Sequence, residues 1–169
     1  MSPPTVVDTV RLMLAHAAWA NARALAALRE TPGSDPTALV QMAHVLAAEH
    51  TWLSRLQGTA PSVAVWPTIT LDACDALATA NAAAFAALLD DGERALQRDV
   101  TYTNSAGRTF TSRALDILLH VALHGSYHRG TTAFVTRSSG GTPVATDFIA
   151  WIRDTGRVGR PDAERTRAG

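Results

Sequence analysis

Three histidines in the last long helical segment, His120, His124 and His128, recur every four residues and have the side chains best suited to metal chemistry. On an α-helix, each step of four residues turns by about 40° and rises by about 6 Å, so neighbours in such a run can share one ion. The outer two are about 12 Å apart along the axis, which is too far for one ion to bind all three. The usable pair is either His120 with His124 or His124 with His128.

Helical phase favours His124 and His128 as the pair. These two histidines continue the apolar stripe of Ile117 and Val121. Counted from Ile117, Val121 follows after four residues, His124 after seven and His128 after eleven, which is the spacing of one helical face. His120 lies to the side of that stripe. The core-facing stripe therefore changes from apolar to imidazole side chains halfway along the helix.

A third ligand must come from another segment, because zinc-like ions in open catalytic sites usually take three protein ligands. The second helical segment offers His44 and His50, which lie about 120° apart around a helix and cannot both face one point. Phase slightly favours His50, which is nearer to the apolar face of that segment. His16 is isolated in the first segment, and we expect it to be a surface residue or a hydrogen-bonded core residue.

The elements that must position these histidines are four long segments that are rich in Ala and Leu and contain no internal proline. The predicted helices are Val6–Arg29, Asp35-Pro36 to Gln57-Gly58, Leu71–Asp90, and a fourth from a Thr111 cap to Arg137. A small hairpin of Asp99–Thr103 and Arg108–Phe110 precedes the fourth helix, and a short fifth helix or turn falls in Thr146–Arg153.

Short connections between these segments predict an all-α fold, an antiparallel four-helix bundle with a short fifth helix and a small hairpin before helix four. We expect residues 1–155 to form this one domain. Residues 156–169 are polar and rich in Arg and Asp, which predicts a flexible C-terminal tail.

Composition excludes several classes of protein. The 169 residues include 15 basic residues, all Arg, and 15 acidic residues, so the net charge is zero and no broad basic face is expected for nucleic acid or an acidic membrane. The single cysteine, Cys74, excludes an intramolecular disulfide and a cysteine-built zinc site, and is expected to be a small buried residue.

The longest uninterrupted apolar stretch, Ala82–Leu89, is far shorter than the ~20 residues of a membrane span, and no secretory pattern begins the chain. The expected location is cytoplasmic.

Four segments in order carry a resemblance to a known family. They are Trp19-Ala20-Asn21, the H-x4-E-x2-W-L run from His44 to Leu53, the H-x3-H-R-G run from His124 to Gly130, and the P-x3-D-F-I run from Pro143 to Ile149. The chain resembles, over nearly its whole length, the DinB-like, damage-inducible family of four-helix-bundle metalloenzymes. Thr131 departs from the family pattern, which often has Gln after His-Arg-Gly.

The resemblance implies that His44, His124 and His128 bind one divalent metal ion, and so selects His44 over the His50 that phase favours. Imidazole ligands are compatible with both zinc and nickel, which are the two ions expected. The resemblance further implies a homodimer with the metal at the floor of a cleft. Characterised relatives look like thiol-dependent transferases and isomerases, so the expected partners are a small-molecule substrate and a low-molecular-weight thiol. A site of three neutral imidazoles would leave positions open on the ion for such anionic ligands.

Three further residues are candidates for catalysis. Glu49 could orient a ligand histidine or be a solvated helix residue, Tyr127 could donate a hydrogen bond or pack, and Arg129 could bind an anionic group or form a structural salt bridge. The four tryptophans are expected to pack in the core and loops. The function predicted first is a metal-dependent enzyme, a thiol-dependent S-transferase or a hydrolase. The alternatives are a non-catalytic metal-binding stress-response bundle and a dimerising helical scaffold without metal.

Overall fold

The protein is mostly helical and contains one two-stranded antiparallel hairpin. A computed structural model describes residues 3–31 and 35–155. The elements are α1 (Val6–Glu30), α2 (Pro36–Gln57), α3 (Leu71–Leu88), a 3-10 turn (Leu89–Asp91), α4 (Glu93–Gln97), β1 (Asp99–Thr103), β2 (Thr109–Arg113), α5 (Ala114–Ser138) and α6 (Phe148–Asp154). The tail predicted for residues 156–169 lies outside the described residues.

The long helices begin where side chains can satisfy the free backbone N–H groups of a first turn. Thr5 and Asp8 form a reciprocal capping box at the start of α1. The Asp35 carboxylate accepts a hydrogen bond from the Thr37 N–H at 2.8 Å, immediately before a proline in the first turn of α2. Gly58 ends α2 in the left-handed region, with φ of 70°, as the predicted boundary requires.

The connection into α5 differs from the prediction. The second strand is Thr109–Arg113 rather than Arg108–Phe110, so Thr111 lies within the strand and does not cap the helix. The N-cap position is Arg113, whose side chain makes no capping hydrogen bond. The strand extends because threonine hydroxyls pair across the hairpin, with 2.9 Å between the Oγ1 atoms of Thr101 and Thr111. The five-residue helix α4 was not predicted, because it is too short to show helical periodicity.

The four long helices pack so that α2 and α5 form the most extensive contact between helices. The helix α1 packs against α3 and α5, and α2 also packs against α3. Residues 42–49 of α2 are all buried, so this helix is covered on every face. The pairing of α2 with α5 brings the histidines of these two helices into reach of one another.

The helix α3 is the least buried of the long helices. It buries Cys74, Asn81 and Phe85 against its neighbours. The segment Leu71–Asp91 has a mean hydropathy of 1.2 and is long and apolar enough to cross a membrane by length and composition, with 17% of that window buried. Polar residues such as Thr79 interrupt this segment, so its longest uninterrupted apolar stretch is only Ala82–Leu89.

Candidate metal centre

The structure brings His44 of α2 together with His124 and His128 of α5. One ring nitrogen from each of the three side chains lies within 4.8 Å of the other two. The ring centroids are 5.1 Å apart for His44 and His124, and 4.4 Å apart for His124 and His128. These are the three residues that the family resemblance implies, and the pair on α5 is the one that helical phase favours.

Two of the three rings are oriented by acceptors outside the cluster. The Nδ1 atom of His44 lies 2.8 Å from the backbone oxygen of Val65, and that of His128 lies 2.8 Å from Oε1 of Gln41. Since a carbonyl oxygen only accepts, each Nδ1 carries the proton and donates it. The other ring nitrogen, Nε2, then has the free lone pair that a metal ion needs.

The electrostatic environment favours the neutral form of His124 and His128. Burial lowers the pKa of His124 to about 4, and the neighbouring His128 and His44 lower it further in the same direction. Burial also lowers the pKa of His128, with His44 as a second cause. Neutral imidazole is the form that binds a metal ion. The three imidazole donors, the tautomers of His44 and His128 and the lowered pKa values of His124 and His128 therefore fit a divalent metal ion.

The remaining histidines of the chain have other partners. His120 contacts Trp52 edge-on, with ring centroids 5.2 Å apart, and is not a member of the cluster. The Nε2 atom of His50 accepts a hydrogen bond from the Ser62 N–H at 3.2 Å. His16 lies 2.9 Å from the backbone oxygen of Thr146 and packs among aromatic rings, in line with the prediction of a hydrogen-bonded core residue.

The slight preference of phase for His50 was wrong, for a physical reason. A phase argument assumes that a helix has one buried stripe, and α2 is buried all round over residues 42–49. His44 is therefore buried as well, on the side of α2 that faces α5. The apolar face around Leu46 and Leu53 does not identify the direction of the site.

Two exposed aromatic side chains flank the cluster. Trp66 stacks on His44 with ring centroids 3.6 Å apart and planes 5° from parallel, and it remains 55% exposed. Tyr127 meets His128 edge-on at 5.1 Å and is 73% exposed. The expectation that all tryptophans pack in the core and loops missed this position of Trp66. The nearest signal in the sequence is a tryptophan beside a proline, Pro67, in the loop between α2 and α3.

Glu49 lies in a buried polar network and not at a solvated position on the helix surface. Its Oε1 accepts a hydrogen bond from Asn21 at 2.8 Å, and its Oε2 accepts a longer one from Asn81 at 3.4 Å. Burial raises the pKa of Glu49, while the two amides and the charge of Arg129 oppose that rise. The hydrogen bonds described for Glu49 go to amides, and the two oriented ligand histidines are held by Val65 and Gln41 instead.

Arg129 belongs to the same network. Its Nη1 donates to Oδ1 of Asn21 at 2.9 Å, and its side chain is buried. Among the described residues Arg129 forms no salt bridge within 4 Å. The structural ion pair, one of its two candidate roles, is replaced by a bridge through the Asn21 amide to Glu49. Cys74 is also fully buried, and burial raises the pKa of its thiol to about 11, as a non-nucleophilic residue requires.

Removing the Gln41 amide should weaken metal binding without abolishing it. The Gln41→Ala variant loses the acceptor that holds the His128 ring, and loss of such an outer partner typically lowers metal affinity by about 10–100-fold. Competition with a chromogenic chelator measures the change. Gln57→Ala, at the exposed end of α2, is the matched control and should bind like wild type. Equal affinities for Gln41→Ala and wild type would contradict the orienting role.

The metal-free protein should lose stability in mild acid. The folded-state pKa of His124 is about 4, against 6.5 in the unfolded chain, so its contribution is present above pH 6.5 and is lost as the pH falls toward 4. Urea unfolding in chelator across this range measures the slope, which His124→Ala should reduce. The raised pKa of Glu49 makes the free energy of unfolding change with pH in the opposite direction. Since this contribution is present in wild type and in His124→Ala alike, the difference between their slopes reports on His124. Identical slopes would contradict the prediction.

Comparison with known proteins gives one match. The model of the DinB family matches residues 6–163, which is nearly the whole chain. The matched range includes all three clustered histidines and the Asn21–Glu49 pair. No curated protein and no solved structure matches the chain.

Proposed function

The chain belongs to the DinB family, and from that premise we propose that it is a divalent-metal-dependent enzyme whose ion is held by His44, His124 and His128. The observation that carries the proposal is the approach of three imidazole nitrogens, from two helices, to within 4.8 Å of one another. Two of those rings are oriented by hydrogen bonds that leave Nε2 free, which supports a built site over a chance cluster.

The proposed reaction class is S-transfer, with hydrolysis as the runner-up. A thiol loses its proton and its sulfur forms a bond to an electrophilic carbon of the substrate, while the bond from that carbon to its leaving group breaks. A divalent ion on three neutral ligands keeps its charge, and so favours anionic ligands and lowers the pKa of a bound thiol or water. The chain itself would supply the walls of the site. Trp66 and Tyr127 are exposed beside the cluster and would contact a substrate, and the Tyr127 hydroxyl is the candidate hydrogen-bond donor.

The proposal includes a cellular and structural setting. We propose a cytoplasmic enzyme that acts on a small molecule, uses a low-molecular-weight thiol, and forms a homodimer. The contacts among α1, α2, α3 and α5 support an antiparallel four-helix bundle as the scaffold of the site. Size-exclusion chromatography with light scattering measures the oligomeric state directly.

The metal content of tag-free protein tests the first part of the proposal. We expect about one zinc or nickel ion per chain by mass spectrometry, either as purified or after addition of the metal salt. Absence of metal under both conditions would sink the enzyme proposal and leave a helical scaffold. Zinc and nickel must both be tested, since imidazole ligands accept either and occupancy follows availability.

Turnover tests the second part. The metal-loaded protein is mixed with a low-molecular-weight thiol and an electrophile such as an epoxide or an alkyl halide, and loss of free thiol is followed. We expect a rate above that of the chelator-treated protein, which serves as the matched control. A stoichiometric metal with no rate difference across thiols and no hydrolysis of ester substrates would favour a non-catalytic metal-binding protein.

A further inference from the structure

A cavity of about 220 Å³ lies between α1 and α3, apart from the histidine cluster. Most of its lining comes from these two helices, and Glu49 of α2 and Val121 of α5 complete it. No histidine of the described chain is among the lining residues. The cavity therefore needs an explanation other than the metal centre.

Small side chains on both helices create this space. Six of the lining residues are alanines, three on each helix, namely Ala15, Ala17, Ala18, Ala78, Ala82 and Ala86. Larger side chains at these positions would interdigitate and fill the space, as in a packed interior, whereas the alanines leave it open between the two helices. An engineered apolar cavity of roughly 150 Å³ accepts benzene. The space here is large enough for a substituted aromatic ring.

The two ends of the cavity differ in polarity. Ala15 and Ala86 are exposed and mark the rim, whereas Asn21 and Glu49 are buried and mark the inner end. A carboxylate has about four acceptor positions, and the described hydrogen bonds of Glu49 use two, one of them long at 3.4 Å. The inner end therefore offers unused acceptor capacity in a setting from which water is largely excluded.

Among the described residues that line the cavity, Arg11 is the one cation, and it already has hydrogen-bond partners. The guanidinium of Arg11 donates to the backbone oxygen of Leu89 and lies 3.3 Å from the carboxylate of Asp90. A ligand anion would thus face the Glu49 carboxylate, while Asp90 offsets part of the positive charge of Arg11 at the rim. Charge and hydrogen bonding both favour a ligand that brings a donor to Glu49.

We propose that this cavity is a second binding site, for a small, mainly apolar molecule that carries one hydrogen-bond donor, of the arylalkyl amine or alcohol class. The apolar part lies between the alanines of α1 and α3, and the hydroxyl or ammonium group donates to Glu49. The site does not include the metal ligands, so the inference stands or falls independently of the proposed enzymatic function.

Four compounds of nearly equal size test the chemistry of the site. The full-length protein is titrated, in chelator, with 2-phenylethanol, 2-phenylethylamine, ethylbenzene and phenylacetate, and amide shifts of α1 and α3 are followed by NMR. We expect the alcohol or the amine to bind at least about tenfold more tightly than ethylbenzene, because only these two can donate a hydrogen bond to Glu49. Phenylacetate should be the weakest, because its carboxylate would face Glu49.

Substitutions that fill the cavity locate the site. Ala82→Leu places a larger side chain in the lining and should weaken binding at least about tenfold, whereas Ala80→Leu, exposed on the same helix outside the lining, should not. Ala86→Leu at the rim is the second filling variant if Ala82→Leu does not fold. Glu49→Gln should reduce the preference for the amine over the alcohol. All folded alanine variants should bind metal like wild type, since no metal ligand lines the cavity.

Three results would overturn the inference. The first is the absence of shifts in α1 and α3 with every compound at millimolar concentration. The second is equal binding by wild type and by both filling variants, which would place the compounds elsewhere on the surface. The third is binding of phenylacetate as tight as that of 2-phenylethylamine, which would show that Glu49 does not select the ligand.

Discussion

Replacing His124 or His128 with alanine should abolish stoichiometric metal binding. Each change removes one of three clustered imidazoles, and the two that remain cannot complete an open three-ligand site. Since loss of an outer partner alone lowers metal affinity by about 10–100-fold, loss of a direct ligand should exceed the upper end of that range. Competition titration against chelators of graded affinity, followed by metal analysis of the dialysed protein, measures the effect.

The other histidines supply matched controls for that experiment. His120→Ala removes an imidazole from the same helix, one turn away, and His50→Ala removes one from α2. Both variants should bind one ion with wild-type affinity, because neither side chain belongs to the cluster. If His120→Ala were as damaging as His128→Ala, the ion would be bound by a different pair on α5. If His50→Ala abolished binding and His44→Ala did not, the ligand from α2 would be wrong.

Replacing Glu49 with alanine should strongly destabilise the protein, even when no metal ion is bound. The substitution removes the acceptor of the Asn21 and Asn81 amides and leaves the buried Arg129 without a nearby negative charge. Breaking a buried charged network by removing one partner costs about 3–5 kcal/mol. Urea denaturation of metal-free protein, with chelator present throughout, measures the free energy of unfolding.

Two further variants show whether the loss of stability is specific to the buried network or follows from removing any carboxylate. Glu30→Ala removes an exposed carboxylate at the end of α1 and should change the free energy of unfolding by no more than about 0.5 kcal/mol. Glu49→Gln keeps the volume and one acceptor, so it should fall between wild type and Glu49→Ala. A loss below about 1 kcal/mol for Glu49→Ala would show that the network contributes little beyond packing.

The parts of the fold that were predictable are those determined by local patterns. The long helices follow from alanine-rich composition and from capping residues such as Asp35 and Gly58, which lie at the boundaries found. The pair His124 and His128 follows from helical phase, since both continue the buried stripe of Val121. The first strand, Asp99–Thr103, was also found with its predicted bounds.

The parts that local patterns could not predict depend on contacts between distant segments. His44 came from family resemblance alone, because a helix buried on every face has no informative phase. Trp66 follows His44 by 22 residues across an irregular loop, and no periodicity connects them. The amides of Asn21 and Asn81 are hydrogen-bond partners of Glu49 only because three helices converge on it.

The loop of residues 59–70, which has neither helix nor strand, contacts the proposed metal site through His44. Its Val65 carbonyl and Trp66 ring hold His44 in one tautomer and one orientation. An ion that requires this tautomer favours the loop conformation that provides it, and the ordered loop raises the affinity for the ion by the same factor. If the proposed ion binds, a molecule that rearranges the loop is therefore a negative effector of metal binding, even when it does not contact His44, His124 or His128. The ion in turn weakens the binding of that molecule by the same factor.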